Sequence, residues 1–276
     1  MVPFLRQKRF RMIFRITKGD KVNYLSGTAH FFPYSFKKSL SRLISKVDVV
    51  LFEGPLNESD MIKIASYGCT SSSTDSLLDM LTEEARGMLV KEFETFDLGK
   101  HSEILRYMYV KMDKSFLEME IRGLKPWMAF FKIWSFYLRK RGWVYSVDME
   151  AHFLAKKLGK NIHYLETIEE QIKALEGMPV ERIIDFLNLC SKWRDYAETH
   201  ADFYLKGELD ALLGATTSFP TRCESIIDKR DPILFERMIP FLEKGNVAIF
   251  VGVTHVKGIS NRLETEGYSV SQLVQC

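Results

Sequence analysis

The chain has 276 residues, 46% of them hydrophobic and 27% charged, with a formal net charge of +3. That supplies a sizeable core and lies within the reach of one α/β domain. Its lysines and arginines are interspersed among 36 acids, which excludes a nucleic-acid-binding stripe.

Cys69, Cys190, Cys223 and Cys276 show no CxxC spacing, which argues against a disulfide framework and for a reducing compartment. The basic run Arg6–Arg11 reads as a solvated tail, and Met1–Arg11 lacks the apolar stretch of a secretory signal. The greasiest segment, Trp127–Leu138, is too short to span a bilayer and contains Lys132. The expectation is a cytoplasmic protein of a single domain over 1–276, with no integral membrane segment and no nucleic-acid partner.

Arg11–Thr17 and Val22–Ser26 alternate apolar and polar residues around Lys18-Gly19-Asp20-Lys21, the pattern of a β-hairpin. The second strand runs into Ser26-Gly27-Thr28-Ala29-His30. Pro33 bars further strand, and Ser35 is placed to cap a helix reaching about Lys46. Val47–Glu53 reads as a buried strand ended by Gly54-Pro55. Strand, helix and strand at this spacing make a βαβ unit with parallel strands, which brings Glu53 to the sheet edge that carries His30.

A helix is predicted over 57–68 and a polar connection over 69–76. Helical periodicity then dominates from about Leu77 to Leu158, interrupted near 96–99 and 141–143. Leu124–Phe131 is apolar all round, the mark of a buried helix or of an aromatic wall that includes Trp127. Asn161–Leu165 is a short strand, and Thr167-Ile168-Glu169-Glu170 is a capping box. Helices follow over 179–199, 200–213 and 218–229. Asp231-Pro232 opens another that Gly245 stops. Asn246–Val251 is a strand, Val256–Glu266 a helix, and Gly267–Val270 leads into a last strand. The fold class is therefore α/β, a central mixed sheet built from both chain ends and covered by a largely helical middle.

Gly27–His30 and Gly252–His255 are both Gly-x-x-His sequences at strand-to-helix junctions. Ligands of open α/β sheets gather at the carboxyl ends of strands, so the two histidines are candidates for one pocket. With Glu53 they offer two imidazoles and a carboxylate, a set suited to a divalent ion such as manganese, cobalt or zinc with positions open to water. Such an ion would activate water for hydrolysis. Glu53 is alternatively a base, or a residue that only satisfies backbone donors in its turn. Arg230 is a surface charge near a helix start, or reaches an oxyanion or a substrate carboxylate. Asp148 and His152 lie four apart on one helix face and read as a local ion pair or cap, or as ligands; Asp148, with Trp127, is a candidate substrate contact. His101, His163 and His200 read as structural. No GxSxG, Walker or GxGxxG pattern occurs.

Tyr24–His30, Val49–Glu53, Leu124–Trp127, Val147-Asp148, Leu165-Glu166-Thr167 with Gln171, Tyr204–Glu208, Arg230 and Phe250–Gly258 occur in an order and spacing that resemble the TraB/GumN/PrgY family. That family includes the animal TIKI proteases and is more distantly related to erythromycin esterase and ChaN-like proteins. The resemblance implies a site made of His30, Glu53 and His255 with Arg230 as accessory, and a metal-dependent, peptidase-like hydrolase acting on a peptide or small molecule. Peptide or small-ligand binding in signal control and metal-free ester hydrolysis with His30 as base are the alternatives. The chain has Asp231 where the family often has asparagine, and Ser146 where it often has glycine.

Overall fold

The computed structural model describes residues 8–70, 77–94 and 116–273. The loop read over 69–76 lies mostly outside them, as do the interruption near 96–99 and His101. Six strands form one mixed sheet: β1 (Ile13–Lys18), β2 (Lys21–Thr28), β3 (Val49–Phe52), β4 (Asn161–Tyr164), β5 (Val247–Gly252) and β6 (Ser269–Gln272). Their order across the sheet is β4-β3-β5-β2-β1-β6. The four strands β4, β3, β5 and β2 are mutually parallel, while β1 runs antiparallel to β2 and to β6.

The predicted hairpin is present: Lys18 pairs with Lys21 around a two-residue turn, where Gly19 takes a φ of 59° that a side chain would resist. Strands β3 and β5 are apolar throughout because both their faces are covered. In β5, Ala248 and Phe250 enter one core, and Val247, Ile249 and Val251 enter the other.

Twelve α-helices occur among the described residues: α1 (Lys37–Ser45), α2 (Glu58–Tyr67), α3 (Glu83–Glu94), α4 (Phe116–Ile121), α5 (Pro126–Lys140), α6 (Val147–Lys157), α7 (Ile168–Glu176), α8 (Val180–Asn188), α9 (Trp193–Lys206), α10 (Leu209–Ala215), α11 (Asp231–Leu242) and α12 (Val256–Thr265). Helices α11 and α12 cover one face through Leu234, Met238, Leu242, Val256, Ile259 and Leu263. The other face carries the middle of the chain, packed on an aromatic core that includes Phe32, Phe36, Phe130, Trp134, Phe186, Trp193 and Tyr204. No helix among the described residues is long and apolar enough to cross a membrane.

Several boundaries differ from the sequence reading. The predicted helix 179–199 breaks at Leu189, and the chain re-enters helix at Trp193, whose buried indole N–H donates to the Phe186 carbonyl at 2.9 Å. Helix α9 then runs on to Lys206, where Gly207 ends it at a φ of 80°. Residues 218–229 form turns instead of a helix; Pro220 lacks an N–H and disfavours helix at Phe219. Ser35 is not the N-cap residue of α1, which is Phe36, although its hydroxyl accepts the Lys37 N–H at 3.4 Å. Its hydroxyl donates to Glu150 at 2.6 Å, and the same carboxylate accepts the Phe36 N–H at 2.9 Å. The capping box at Thr167 and Glu170 forms as predicted.

Candidate active site

Strand register sets the site. In the parallel ladder Gly27 is opposite Val251 and Thr28 is opposite Gly252, so both Gly-x-x-His turns leave the sheet side by side. Glu53 follows β3 and stays in register, its N–H donating to the Phe250 carbonyl at 3.0 Å. One strand further out, the Glu166 N–H donates to the Glu53 carbonyl at 3.0 Å. Adjacent strand ends thus deliver Glu166, Glu53, His255 and His30 in that order along one carboxyl edge.

The two motifs pack directly on each other. A Cβ on Gly27 would lie 2.9 Å from Val256 Cγ2 and 3.2 Å from the Val253 Cα, so glycine is required by close approach rather than by a special φ. The Tyr204 hydroxyl donates to the Gly27 carbonyl at 2.7 Å and supports this turn from below.

Arg230 stands at the centre. Its Nη2 donates to Glu53 Oε1 and to Glu166 Oε1, and its Nε donates to Glu166 Oε2 at 3.0 Å. Its Nη1 lies 3.4 Å from His255 Nε2. Glu53 Oε2 accepts the Gly252 N–H at 2.7 Å, and Gln171 donates to Glu166 Oε1 at 3.2 Å. Burial works against the Glu53 charge, but Arg230, His255 and the Gly252 N–H outweigh it and hold this carboxyl well below the usual carboxylate range. Burial pushes Glu166 upward, and the Glu53 charge adds to that. Two carboxylates sharing one guanidinium therefore titrate apart.

Each motif histidine has its own carboxylate at Nδ1. His255 Nδ1 is 2.6 Å from Asp231 Oδ1, in a site where the ring is 2% exposed. With a guanidinium facing Nε2, the hydrogen-bond network places the proton of a neutral ring on Nδ1. Gly258 permits this pairing, since a Cβ there would collide with the Asp231 carboxylate.

His30 Nδ1 is 2.9 Å from Asp148 Oδ2, and the His30 side chain is 71% exposed above a nearly buried aspartate. Asp148 Oδ2 has no aligned hydrogen-bond donor, so the contact acts chiefly through charge. The Asp148 charge is the largest influence on His30. It outweighs partial desolvation, and together with Glu53 it raises the His30 pKa from 6.5 to about 9.

Backbone pairing brings Asp148 there. Phe32 and Tyr145 exchange N–H···O bonds of 2.8 and 3.1 Å, and the Val147 N–H donates to the Ala29 carbonyl at 3.0 Å. The start of α6 is thereby laced to the first motif.

The TraB/PrgY/gumN family model matches residues 12–272. The chain belongs to the TraB/PrgY/gumN family. No curated protein matches the sequence.

In this TraB/PrgY/gumN chain the residues singled out from sequence, His30, Glu53, Asp148, Arg230 and His255, meet at one sheet edge. Trp127 does not join their polar network: it is 4% exposed in the helical core, and its indole N–H has no partner among the described residues. Asp148 pairs with His30 instead of His152, whose Nε2 lies 3.0 Å from the Tyr164 hydroxyl. Asp231, read as a helix opener, sits at the first position of α11 and turns its carboxylate to His255. Ser146 is the cap of α6, accepting the Met149 N–H at 3.3 Å. In the sequence Glu166 stands out only within the motif Leu165-Glu166-Thr167; its place at the end of the strand next to that of Glu53 is the signal that marks it.

A divalent ion shared by His30, Glu53 and His255 does not fit this arrangement. The lone pairs it would need at Glu53 Oε1 and His255 Nε2 already face Arg230, a permanent cation. Among the described residues no three His, Cys, Asp or Glu side chains gather as a metal-binding group.

Proposed function

We propose that the chain is a hydrolase of peptide or ester bonds whose proton-transfer group is His30, with no step carried by a metal ion. The observation that carries this reading is the contrast between the two histidines. His255 is sealed beneath the surface with a carboxylate on one nitrogen and a guanidinium facing the other. His30 is open to solvent and is charged up to pH about 9 by Asp148.

The imidazolium presents its Nε2 proton to a leaving oxygen or nitrogen, as a general acid does. Glu53, with 18% of its side chain exposed, keeps an ionised carboxylate at the floor to orient the attacking water. Glu53 is too weak a base to keep the proton the water loses; once His30 has protonated the leaving group, its neutral ring takes up that proton and the imidazolium is restored. Arg230, itself held by Glu166, and the Gly252 N–H fix that carboxylate, and the buried charges add a preorganised field that rearranges little during reaction.

The test is turnover of fluorogenic peptide and ester libraries by the purified chain, with and without a chelator. Cleavage that survives the chelator and falls at least 100-fold in His30→Gln fits the proposal. Cleavage that requires added manganese, cobalt or zinc, or that His30→Gln leaves unchanged, overturns it. A second reading, a ligand-holding site without turnover, is favoured by one observation: both Glu53 oxygens are already engaged, by Gly252 and by Arg230. Tight peptide binding without cleavage would select it.

A further inference from the structure

Beside the second motif lies a cavity of about 290 Å³ lined by Thr217, Arg222, Cys223, Glu224, Ile227 and Asp228. Arg222 links it to the site: its Nη1 lies 3.5 Å from the carbonyl of Thr254, the residue before His255. That long contact to a neutral oxygen is its one side-chain hydrogen bond among the described residues; Tyr196, Asp231 and Asp228 act on it only through charge. A partly buried guanidinium with one weak acceptor is unusual, because desolvating the fork is costly unless anions serve it.

A second arginine stands close by. Arg182 donates to the Thr217 and Phe219 carbonyls at 2.6 and 3.1 Å, and its buried Nε has no partner. Among the described residues no acid hydrogen-bonds or ion-pairs with either guanidinium, and Asp228 and Asp231 reach Arg222 through charge alone. Glu224 and Asp228 are exposed, and Glu224 pairs with Lys229 at 3.4 Å. Asp231 is committed to His255.

We propose that Arg222, backed by Arg182, is a carboxylate-binding subsite that receives the free C-terminal carboxylate of a peptide or N-acyl amino acid. Carboxylate and guanidinium match as two parallel N–H···O bonds. Attachment to the Thr254 carbonyl places the anchored group next to the turn that carries His255, which leaves the strand adjacent to the one that carries the His30 turn. The carboxylate site itself stands apart from catalysis, whereas its assignment to a substrate rests on the hydrolase reading. It makes the enzyme selective for substrates with a free C-terminus near the scissile bond.

The experiment is calorimetric titration of the full chain with N-acetyl dipeptides as free acids and as C-terminal amides. The free acid should bind, the amide should bind roughly ten-fold to a hundred-fold more weakly, and Arg222→Met should abolish that difference. Equal binding of acid and amide by the unaltered chain overturns the proposal without recourse to any variant; an Arg222→Met protein that folds and still discriminates also overturns it. Cleavage assays on the same pairs separate the sources of the carboxylate. Preference for cleaving the acid supports a substrate terminus, and equal cleavage despite selective binding refutes that assignment. Selective binding with no cleavage of either leaves the subsite standing and removes the hydrolase reading.

Discussion

Asp148→Asn isolates the charge that sets the state of His30. The pair is 2.9 Å apart, and the aspartate is the largest reason that the histidine rises from 6.5 to about 9. Such a displacement amounts to roughly 3 kcal/mol of differential interaction between the two protonation states. The His30 side chain is 71% exposed, so water and salt screen the pair and only about 1 kcal/mol should appear as stability. A histidine raised in the folded state stabilises fully below its unfolded pKa, and that contribution disappears as pH rises through the folded value. The wild type should therefore lose about 1 kcal/mol relative to Asp148→Asn between pH 6.5 and 9, seen in urea midpoints across that range. NMR titration of the ring, assigned with His30→Gln, should give a midpoint near 9 in the wild type and close to 6.5 in the variant. If the enzyme turns substrate over, the alkaline limb of kcat/KM should move down with it. A variant midpoint still near 9, or a wild-type midpoint at the ordinary value, would refute the reasoning.

Two further predictions follow from the packing and the charges. Gly27→Ala puts a methyl group 3.2 Å from backbone at Val253, which cannot yield as a side-chain tip can. It should cost about 1–3 kcal/mol in denaturant unfolding, and unchanged stability would show that the motifs do not press on each other. Arg230→Met strands the Glu53 and Glu166 carboxylates, whose side chains are 18% and 2% exposed. It should destabilise by about 3–5 kcal/mol. The pH dependence should also change sign at the cluster. In the wild type Glu53 is depressed, so its contribution is lost as pH falls. In the variant a carboxyl is raised, and stability should improve on acidification from pH 8 to 5; a variant whose unfolding is pH-independent there would contradict this.

The sheet was legible because β3 and β5 are short apolar runs, β1 and β2 alternate about a glycine-containing turn, and glycine marks the strand ends. Value lay in Val49–Phe52 and Val247–Val251, whose patterns admit little else once both faces are covered. His30, Glu53 and His255 were legible for the same reason, as residues placed at strand ends, whereas Arg230 stood out only as a charge at a helix start and through the family resemblance. The pairing of each histidine with its carboxylate was not legible. Asp148 and His152 satisfy the helical spacing rule, yet Asp148 is held near His30 by the pairing of residues 29–32 with 145–147, a long-range register that spacing does not encode. Asp231 precedes a proline at a helix start, so local sequence assigned it to capping, while tertiary structure took its carboxylate for His255. The reading of His200 as structural needed only local packing. It stacks on Tyr204 at 5.9 Å between ring centres, and burial pushes its pKa down to about 4, keeping it neutral.

Strand order explains why this site belongs to the whole chain and to no segment of it. β2 and β3 are consecutive in sequence and joined through α1, but β5 lies between them. Neighbouring strands are about 4.8 Å apart, so His30 and Glu53 are anchored two spacings from each other, across a gap that only residues 247–252 fill. Without β5, the inner edges of β2 and β3 have no ladder partner, and Glu53 loses the Gly252 N–H that holds one of its oxygens. Arg230, which holds the other, sits at the head of the helix leading into β5. Insertion of one strand therefore supplies the backbone donor, the guanidinium and the second histidine together. A buried carboxylate without those partners would be protonated rather than charged, which ties the charge state of the site to completion of the sheet.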